Sequence, residues 1–392
     1  MYNKLDSIKQ EDCVFFNYPA IYSLEEYRNT IDKVGKKNFG GNIKAIYTNG
    51  IVSNPGISDI DILIVIKNNT SPRLKFVWLD KKERNMICHP FYIIDETIMN
   101  NIRWIYPDFN LRLIKGHSMI SNQPTKNELR LIRIFLMIDV ILRHFPSDYL
   151  EMLVTKWISV RDALLRLNAL NHSIATFKFI GLKKKEWDSY TKEIKKLRNM
   201  WFNIKREEQN NNIVKLLKKA TYISIDITSE LSQLLEKEGI VKIKHKTKEI
   251  IYNGKQNRAF FVENWNKDNI LKRMIDFYPK NKKFYSVLPL NFLPLLLEYS
   301  KNDALLGNYI KKHLENSEIE YQIDGKNMIK KRMELLNRQA FSAFKMKHRH
   351  FTAFFDFGYK STAGMLNKGL YVIRKIKNSK IFKGLIFIMT RK

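Results

Sequence analysis

The chain has 392 residues, 44% of them apolar and 12% aromatic, so it can bury a sizeable core and is not a disordered chain. Its 69 Lys and Arg residues against 39 Asp and Glu give a formal charge of +30, which attracts polyanions such as nucleic acid, nucleotides or an anionic membrane. The alternative is a solvated basic surface without a dedicated polyanion site.

Cysteine content and apolar runs restrict the compartment. The two cysteines, Cys13 and Cys88, lie far apart in sequence and match neither a disulfide framework nor a zinc site. The N-terminus lacks the basic start and apolar run of a signal peptide, and no apolar run reaches the roughly 20 residues that span a bilayer. We therefore expect a cytoplasmic protein, either free or peripheral to the inner face of the membrane.

The first part of the chain alternates between helical and extended patterns. Ser23, with Glu26 three residues later, forms a capping box that starts a helix ending before Gly40. The alternation predicts a small α/β domain over residues 1–122. Its remaining elements are short apolar runs bounded by turn residues, together with one more helix: strands at 43–50, 59–67, 85–95 and 110–116, and a helix at 96–108.

Helical periodicity begins at Thr125, which forms a capping box with Glu128, and four helical segments predict a bundle domain over 123–238. Two alternating runs around Asn253-Gly254 then predict a hairpin, followed by more helices, in a C-terminal region at 239–340. Trp157 and Trp201 are predicted to be core residues. We expect the fold class to be α+β, with a small mixed-sheet domain followed by a largely α-helical region.

The last segment, 341–392, is a basic amphipathic tail. It contains no acidic residue after Asp356, and its apolar residues are interleaved with lysines and arginines. Such a segment suits contact with an anionic membrane, contact with nucleic acid, or a helix docked on the bundle. Because no recognised RNA-binding module is present, nucleic acid is not the favoured partner.

Two aspartates, Asp59 and Asp61, open the apolar strand predicted at 59–67. Side chains at i and i+2 of a strand point to the same face, so the two carboxylates lie side by side. Without a cation this arrangement is repulsive. Mg²⁺, or Mn²⁺ in its place, takes one or two carboxylates and completes its shell with water and phosphate oxygens. The pair therefore predicts a metal site formed by Asp59 and Asp61.

The order of elements around the pair is more specific than the pair itself. In "NGIVSNPGISDIDILIV" a strand ends at a glycine, a short loop follows, and the two aspartates open a second apolar strand. This order resembles the nucleotidyltransferase domain of the DNA polymerase β superfamily, over residues 42–116. The resemblance implies transfer of a nucleoside monophosphate (NMP) from a nucleoside triphosphate (NTP), assisted by Mg²⁺ or Mn²⁺.

The resemblance also implies roles for residues of the loop. Gly50 matches the family's glycine, where the backbone approaches the triphosphate, and Ser58 matches the small polar residue before the aspartates. Ile51 stands where the family has Gly or Ser. Ser53 is the candidate replacement for the missing hydroxyl.

Other segments would supply the rest of such a site. The family uses a third carboxylate on the neighbouring strand as a general base, for which Asp95 is the candidate; the alternatives are that Asp95 only caps the next helix and that His89 is the base. Lys156 and Arg161, on a predicted helix beyond the α/β domain, are candidate cations for the nucleotide. Their alternative role is ordinary surface charge with intrahelical pairs.

The leading interpretation is a metal-dependent nucleotidyltransferase that moves an NMP from an NTP to a hydroxyl or phosphate acceptor. A small molecule, or a glycan or lipid precursor, is the favoured acceptor. The alternative is a catalytically degenerate domain that acts as a nucleotide-binding or polyanion-binding adaptor. Ile51 and the weakly defined third carboxylate keep this alternative open.

Overall fold

The structure is a computed structural model that describes residues 3–37, 42–70, 79–87, 91–245, 249–253, 257–281, 284–315 and 319–345. Within these ranges the chain is α+β, which confirms the predicted class. In chain order the helices are α1 (Asn3–Asp6), α2 (Leu24–Lys36), α3 (Lys81–Met86), α4 (Glu96–Asn100), α5 (Lys126–Arg143), α6 (Ser147–Thr155), α7 (Val160–Phe179), α8 (Lys185–Met200), α9 (Arg206–Lys237), α10 (Lys267–Asn281), α11 (Leu293–Ser300), α12 (Leu305–His313) and α13 (Lys326–Lys345).

The strands form four small sheets in the described part of the chain. In chain order they are β1 (Val14–Phe16), β2 (Ile43–Asn49), β3 (Asp61–Ile66), β4 (Tyr92–Asp95), β5 (Leu111–Gly116), β6 (Trp157–Ser159), β7 (Val241–His245), β8 (Glu249–Asn253), β9 (Asn257–Val262), β10 (Phe284–Pro289) and β11 (Ile319–Ile323).

The N-terminal sheet has the strand order β4-β3-β2-β5. β2 is antiparallel to both β3 and β5, whereas β3 and β4 run parallel, so the sheet is mixed. β3 is buried on both faces. Ile62 and Ile64 pack in a cluster with residues of α2 and α3, while Leu63 and Val65 belong to the main core shared with the helices. One face of β3 is therefore directed at α2, and the other is directed at the helices from α5 onward, called here the helical part.

Two predicted capping boxes start helices where expected. Ser23 and Glu26 cap α2, and Thr125 and Glu128 cap α5, each pair through reciprocal side-chain to backbone hydrogen bonds. The helices α7, α8 and α9 pack against one another. Trp201, just after α8, is buried in the main core, as predicted.

The segment before α2 joins the helical part of the molecule. β1 pairs in parallel with β6, so contacts cross the domain boundary predicted at 122/123. Trp157 is half-buried in β6, and its ring centroid lies 5.8 Å from that of Phe16. The N-terminal residues are thus part of the support for the start of α7.

Two predicted elements of the N-terminal part are shorter than expected. Asp80 and Glu83 form a capping box, so residues up to Met86 are helical. Of the strand predicted at 85–95, the described residues from Tyr92 to Asp95 form β4. The helix predicted at 96–108 is α4 followed by a single 3-10 turn, Ile102–Trp104.

The C-terminal region contains more strand than predicted. β8 and β9 pair antiparallel, as expected for a hairpin, although Gly254 lies outside the described residues. β10, in a stretch predicted to be helical, pairs in parallel with β9, and its Val287 and Leu288 are buried. The pairing of β11 with β7 was also not predicted. These strands are stabilised by partners distant in sequence, which local periodicity does not reveal.

The helix α13 packs against the edge strand β4. Arg332 is buried on α13; its guanidinium donates to Asp139 Oδ2 at 2.5 Å and to the carbonyl oxygens of Trp104 and Ile105 at 3.1 and 2.7 Å. Arg338, further along α13, pairs with Asp95 at the end of β4. Through these two arginines, α13 contacts residues that lie far earlier in the sequence.

No helix within the described ranges has both the length and the apolar character needed to cross a membrane. Most of the basic tail predicted at 341–392 lies outside the described residues, as does His89.

Candidate functional site

Asp59 and Asp61 lie on the same side of the N-terminal sheet, at the start of β3. Asp61 is the first residue of β3, and Asp59 lies two residues earlier, in the loop that leads into the strand. Ile60 and Ile62 are buried in the cluster beneath α2. The alternation therefore directs the half-buried side chains of Asp59 and Asp61 to the opposite face, the side of Leu63 and the helical part.

Charged and polar groups of α7 and α8 are close enough to interact electrostatically with this pair. Partial burial, with the positive charges of Arg198 and Lys195, lowers the pKa of His172 on α7, and the carboxylate of Asp61 opposes that change. The imidazole is therefore mainly neutral at pH 7. Its Nε2 atom lies 2.9 Å from Nδ2 of Asn168, one turn earlier on α7.

Gly50 directly follows β2 and is half-buried. Its φ of 75° is in the left-handed region, which glycine adopts without steric cost. Its N–H donates to Asn110 O at 2.9 Å. A Cβ placed on Gly50 would have no atom within 4 Å, so the space beside its backbone is open.

The rest of the loop is a tightly hydrogen-bonded turn. Ser58 is buried, and its Oγ accepts from the N–H of Asn54 at 3.2 Å and from Arg198 Nη2 at 3.1 Å. The hydroxyl of Tyr27, on α2, donates to Ser58 O at 2.6 Å and accepts from the N–H of Gly56 at 3.0 Å. Ser58 therefore shapes the loop, and its hydroxyl is not available for the nucleotide contact expected of it.

Ser53, the candidate hydroxyl replacement, is exposed near the start of the loop. Its Oγ donates to the side-chain oxygen of its neighbour Asn54 at 3.2 Å. The adjacent Ile51 is 65% exposed. Ser53 thus lies on the accessible side of the loop, whereas Ser58 lies on the buried side.

The two predicted cations do not line the site as expected. Arg161 is buried, and its guanidinium donates to Ile57 O at 3.3 Å, to Ser58 O at 3.2 Å and to Asn85 O. These bonds fix the loop backbone and occupy the guanidinium. Lys156, at the C-terminus of α6, instead pairs with Asp12 at 3.2 Å. We therefore assign Arg161 to loop support and Lys156 to a contact elsewhere.

Arg198 of α8 is a site residue that sequence reasoning missed. It is 4% exposed; its Nε donates to Asn54 Oδ1 and its Nη1 to Leu164 O on α7, both at 3.1 Å. Burial lowers the pKa of Arg198 to about 10, and the negative charge of Asp59 opposes the change. A signal was present in the sequence, because Arg198 follows Ile194 by four residues and so falls on the apolar face of a helix.

Asp95 was predicted to be the third carboxylate of the site, but it lies at the opposite end of the sheet from Asp61. β3 and β4 are parallel, and Asp95 is paired with Ile66, the last residue of β3. At a rise of about 3.3 Å per residue, Asp95 is about 16 Å along the sheet from Asp61. Its carboxylate caps α4, accepting from Ile98 N at 3.0 Å, and pairs with Arg338. The alternative role considered for Asp95, a helix cap, is the one observed.

The donor set of the pair fits Mg²⁺ or Mn²⁺. Two hard carboxylates, from Asp59 and Asp61, are what such ions take from a protein when phosphate oxygens and water supply the other ligands. Across the ranges that the structure describes, no cluster of three or more His, Cys, Asp and Glu side chains could hold a metal. Two carboxylates alone leave most of the coordination shell of such an ion to ligands from outside the protein.

The candidate site thus lies where β2 ends and β3 begins. It contains the open backbone at Gly50, the carboxylates of Asp59 and Asp61, and the supporting arginines Arg161 and Arg198. The resemblance to the polymerase β superfamily is carried by this region, residues 42–116. Comparison of the whole chain with protein-family models, curated proteins and solved structures finds no match in any of the three.

Proposed function

We propose that the protein is a nucleotidyltransferase that uses Mg²⁺ or Mn²⁺ to transfer an NMP from an NTP to a hydroxyl or phosphate acceptor. The observation that carries the proposal is the presentation of Asp59 and Asp61 on one face, directly after a loop that begins with open backbone at Gly50. Two carboxylates side by side repel each other, and a bound cation relieves that repulsion.

In the proposed reaction, different residues of the site bind the cation, admit the triphosphate and hold the loop. Asp59 and Asp61 would hold the cation, which when bound neutralises phosphate charge and favours ionisation of the attacking group. Gly50 leaves room for the triphosphate to approach the backbone. Arg161 and Tyr27 hold the loop through its carbonyl and amide groups, so that Asp59 keeps its position when substrate enters.

The favoured acceptor is a small molecule, or a glycan or lipid precursor, and the protein is proposed to act in the cytoplasm or at the inner face of the membrane. The formal charge of +30 suits a phosphorylated or otherwise anionic acceptor.

A nucleotide-binding adaptor is the second candidate, and a specific observation favours it. Asp95 lies at the far end of the sheet, and no described cluster adds a third acidic ligand to the pair. Such a site would bind metal and NTP without supplying a base for the acceptor. Binding without turnover distinguishes this candidate from the transferase.

The test is pyrophosphate release from each of the four NTPs, with Mg²⁺ or Mn²⁺ and with cell extract as a pool of acceptors. Wild type is compared with Asp61→Asn and with Asp32→Asn, a matched change at an exposed aspartate on α2. Release that is lost in Asp61→Asn and kept in Asp32→Asn supports the transferase. NTP binding without release supports the adaptor, and absence of both rejects the proposal.

A further inference from the structure

The position of Asp59 depends on a loop that has no regular secondary structure. The chain from Gly50 to Ile60 contains turns and bends, and Asp59 directly follows Ser58. Asp59 lies between Ile60, whose N–H donates to Met86 O at 2.9 Å, and Ser58, which joins it to the turn. Both the hydroxyl and the carbonyl oxygen of Ser58 accept hydrogen bonds from residues outside the loop.

Arg198 holds this loop in a way that the other supporting residues do not. The hydrogen bonds of Arg161 and Tyr27 described above go to backbone atoms of the loop, whereas Arg198 donates to two of its side chains, Asn54 and Ser58. The neighbouring Asn199 accepts from Asn54 Nδ2 at 2.8 Å, so α8 contacts the loop through two consecutive residues. The remaining nitrogen of Arg198 donates to α7, at Leu164. One guanidinium thus ties both ends of the turn to two helices.

The charge of Arg198 is also directed at the site. The three oxygen atoms that accept its hydrogen bonds, on Asn54, Ser58 and Leu164, belong to neutral groups, and the electrostatic interaction that favours its charged form most is with Asp59. A buried cation that interacts with Asp59 favours the charged form of that carboxylate before a metal binds. A lysine could supply the charge but not three donors in a fixed planar arrangement.

We infer that Arg198 is a positioning residue for metal binding: it holds Asp59 in register with Asp61 through Ser58 and Asn54. The inference rests on the proposed function, because it concerns the same metal site. Residues that orient metal ligands without touching the metal typically change affinity by about 10- to 100-fold when they are replaced. The structure assigns this role to the fork of Arg198 and not to its charge alone.

The experiment measures Mn²⁺ binding by the electron paramagnetic resonance signal of free Mn²⁺, and the melting temperature in the same buffer. Arg198→Lys keeps the charge and removes the fork. Arg198→Ala removes both and is measured with and without millimolar guanidinium. Arg332→Lys is the matched control, because Arg332 is equally buried and also makes several hydrogen bonds, to Asp139, Trp104 and other groups away from the loop.

We expect Arg198→Lys to bind Mn²⁺ at least about tenfold more weakly than wild type, and guanidinium to restore part of the binding in Arg198→Ala. Arg332→Lys should melt at a lower temperature yet bind Mn²⁺ normally. Wild-type affinity in Arg198→Lys overturns the inference, as does an equal loss in Arg332→Lys. If wild type itself lacks Mn²⁺ binding that depends on Asp61, the proposed function fails and the inference fails with it.

Discussion

Gly56→Ala tests whether the loop before the aspartates is held by its close fit to neighbouring segments. Gly56 has a φ of 84°, and its N–H donates to the hydroxyl of Tyr27 at 3.0 Å. A Cβ at this position would overlap the carbonyl oxygen of Ala20 and lie 2.9 Å from Cζ of Phe202. Because one of the obstructing groups is backbone, a side-chain rotation cannot relieve the overlap.

Gly50→Ala is the matched control, since Gly50 has a similar φ of 75° but open space beside it. The left-handed conformation costs an alanine about 1–2 kcal/mol at either position. At Gly56 alone, overpacking adds about 1–3 kcal/mol, and loss of the Tyr27 hydrogen bond adds about 1 kcal/mol. We therefore expect the free energy of unfolding to fall by about 3–6 kcal/mol in Gly56→Ala and by about 1–2 kcal/mol in Gly50→Ala.

The assay is thermal unfolding followed by circular dichroism, together with Mn²⁺-NTP binding. With an unfolding entropy of about 2.1 cal/mol/K per residue, a chain of 392 residues shifts by about 1.2 °C per kcal/mol, so Gly56→Ala should melt at least about 2 °C below Gly50→Ala. Gly50→Ala should in turn lose nucleotide affinity out of proportion to its small loss of stability. Equal melting temperatures for the two variants would refute the reasoning, because they would mean that the contacts around Gly56 do not hold the loop.

Three further predictions concern buried charges. Arg332→Met should lower the free energy of unfolding in urea by about 3–5 kcal/mol, because it leaves Asp139 buried without its partner; a smaller loss than the exposed Lys301→Met produces would contradict this. Burial raises the pKa of Asp139 from 3.8 to about 6. The contribution of Asp139 to stability is therefore full below pH 4 and is lost as the pH rises through 6. Asp139→Asn should abolish this fall in the free energy of unfolding, measured by unfolding curves between pH 4 and 7. Asp95→Asn keeps an acceptor for the α4 cap but loses the charge opposite Arg338, so it should cost about 1–3 kcal/mol of stability and leave Mn²⁺ affinity unchanged; weakened Mn²⁺ binding would restore Asp95 to the site.

Local signals in the sequence were sufficient for several elements. The capping box of Ser23 and Glu26 starts α2, and that of Thr125 and Glu128 starts α5, because the two members of each box are only three residues apart in the chain. The continuous apolar run after Asp61 likewise identifies a strand buried on both faces. In these cases the interactions that decide the structure are contained within a few residues.

Other features depend on how distant segments pair. Asp95 ends a strand, as predicted, but the end of the sheet at which it lies is decided by the parallel pairing of β4 with β3. Nothing within 85–95 specifies that direction. β10 is similar, since its strand conformation is stabilised by β9 in parallel register rather than by its own pattern.

The role of the supporting arginines Arg161 and Arg198 could not be predicted from the sequence for a third reason. The sequence predicted Arg161 as a cation for the nucleotide, with surface charge as the alternative, and gave no role to Arg198. Both are buried and donate to the loop. Their role follows from the unpaired carbonyl and hydroxyl oxygens of an irregular loop, which need donors from elsewhere. A cation at an apolar position of a helix is the sequence signal for this arrangement, and it gives no indication of which loop is held.

The contact of α13 with β4 has a consequence for synthesis of the chain. Arg338 is 243 residues beyond Asp95, its partner on the edge strand. At about 5–20 residues per second, the ribosome makes that connecting stretch in roughly 12–50 seconds. Throughout this interval the edge of β4 lacks the helix that finally packs on it, and an uncovered edge strand readily pairs with other chains. The nascent protein thus passes through a period in which chaperone binding at β4 would protect it from aggregation.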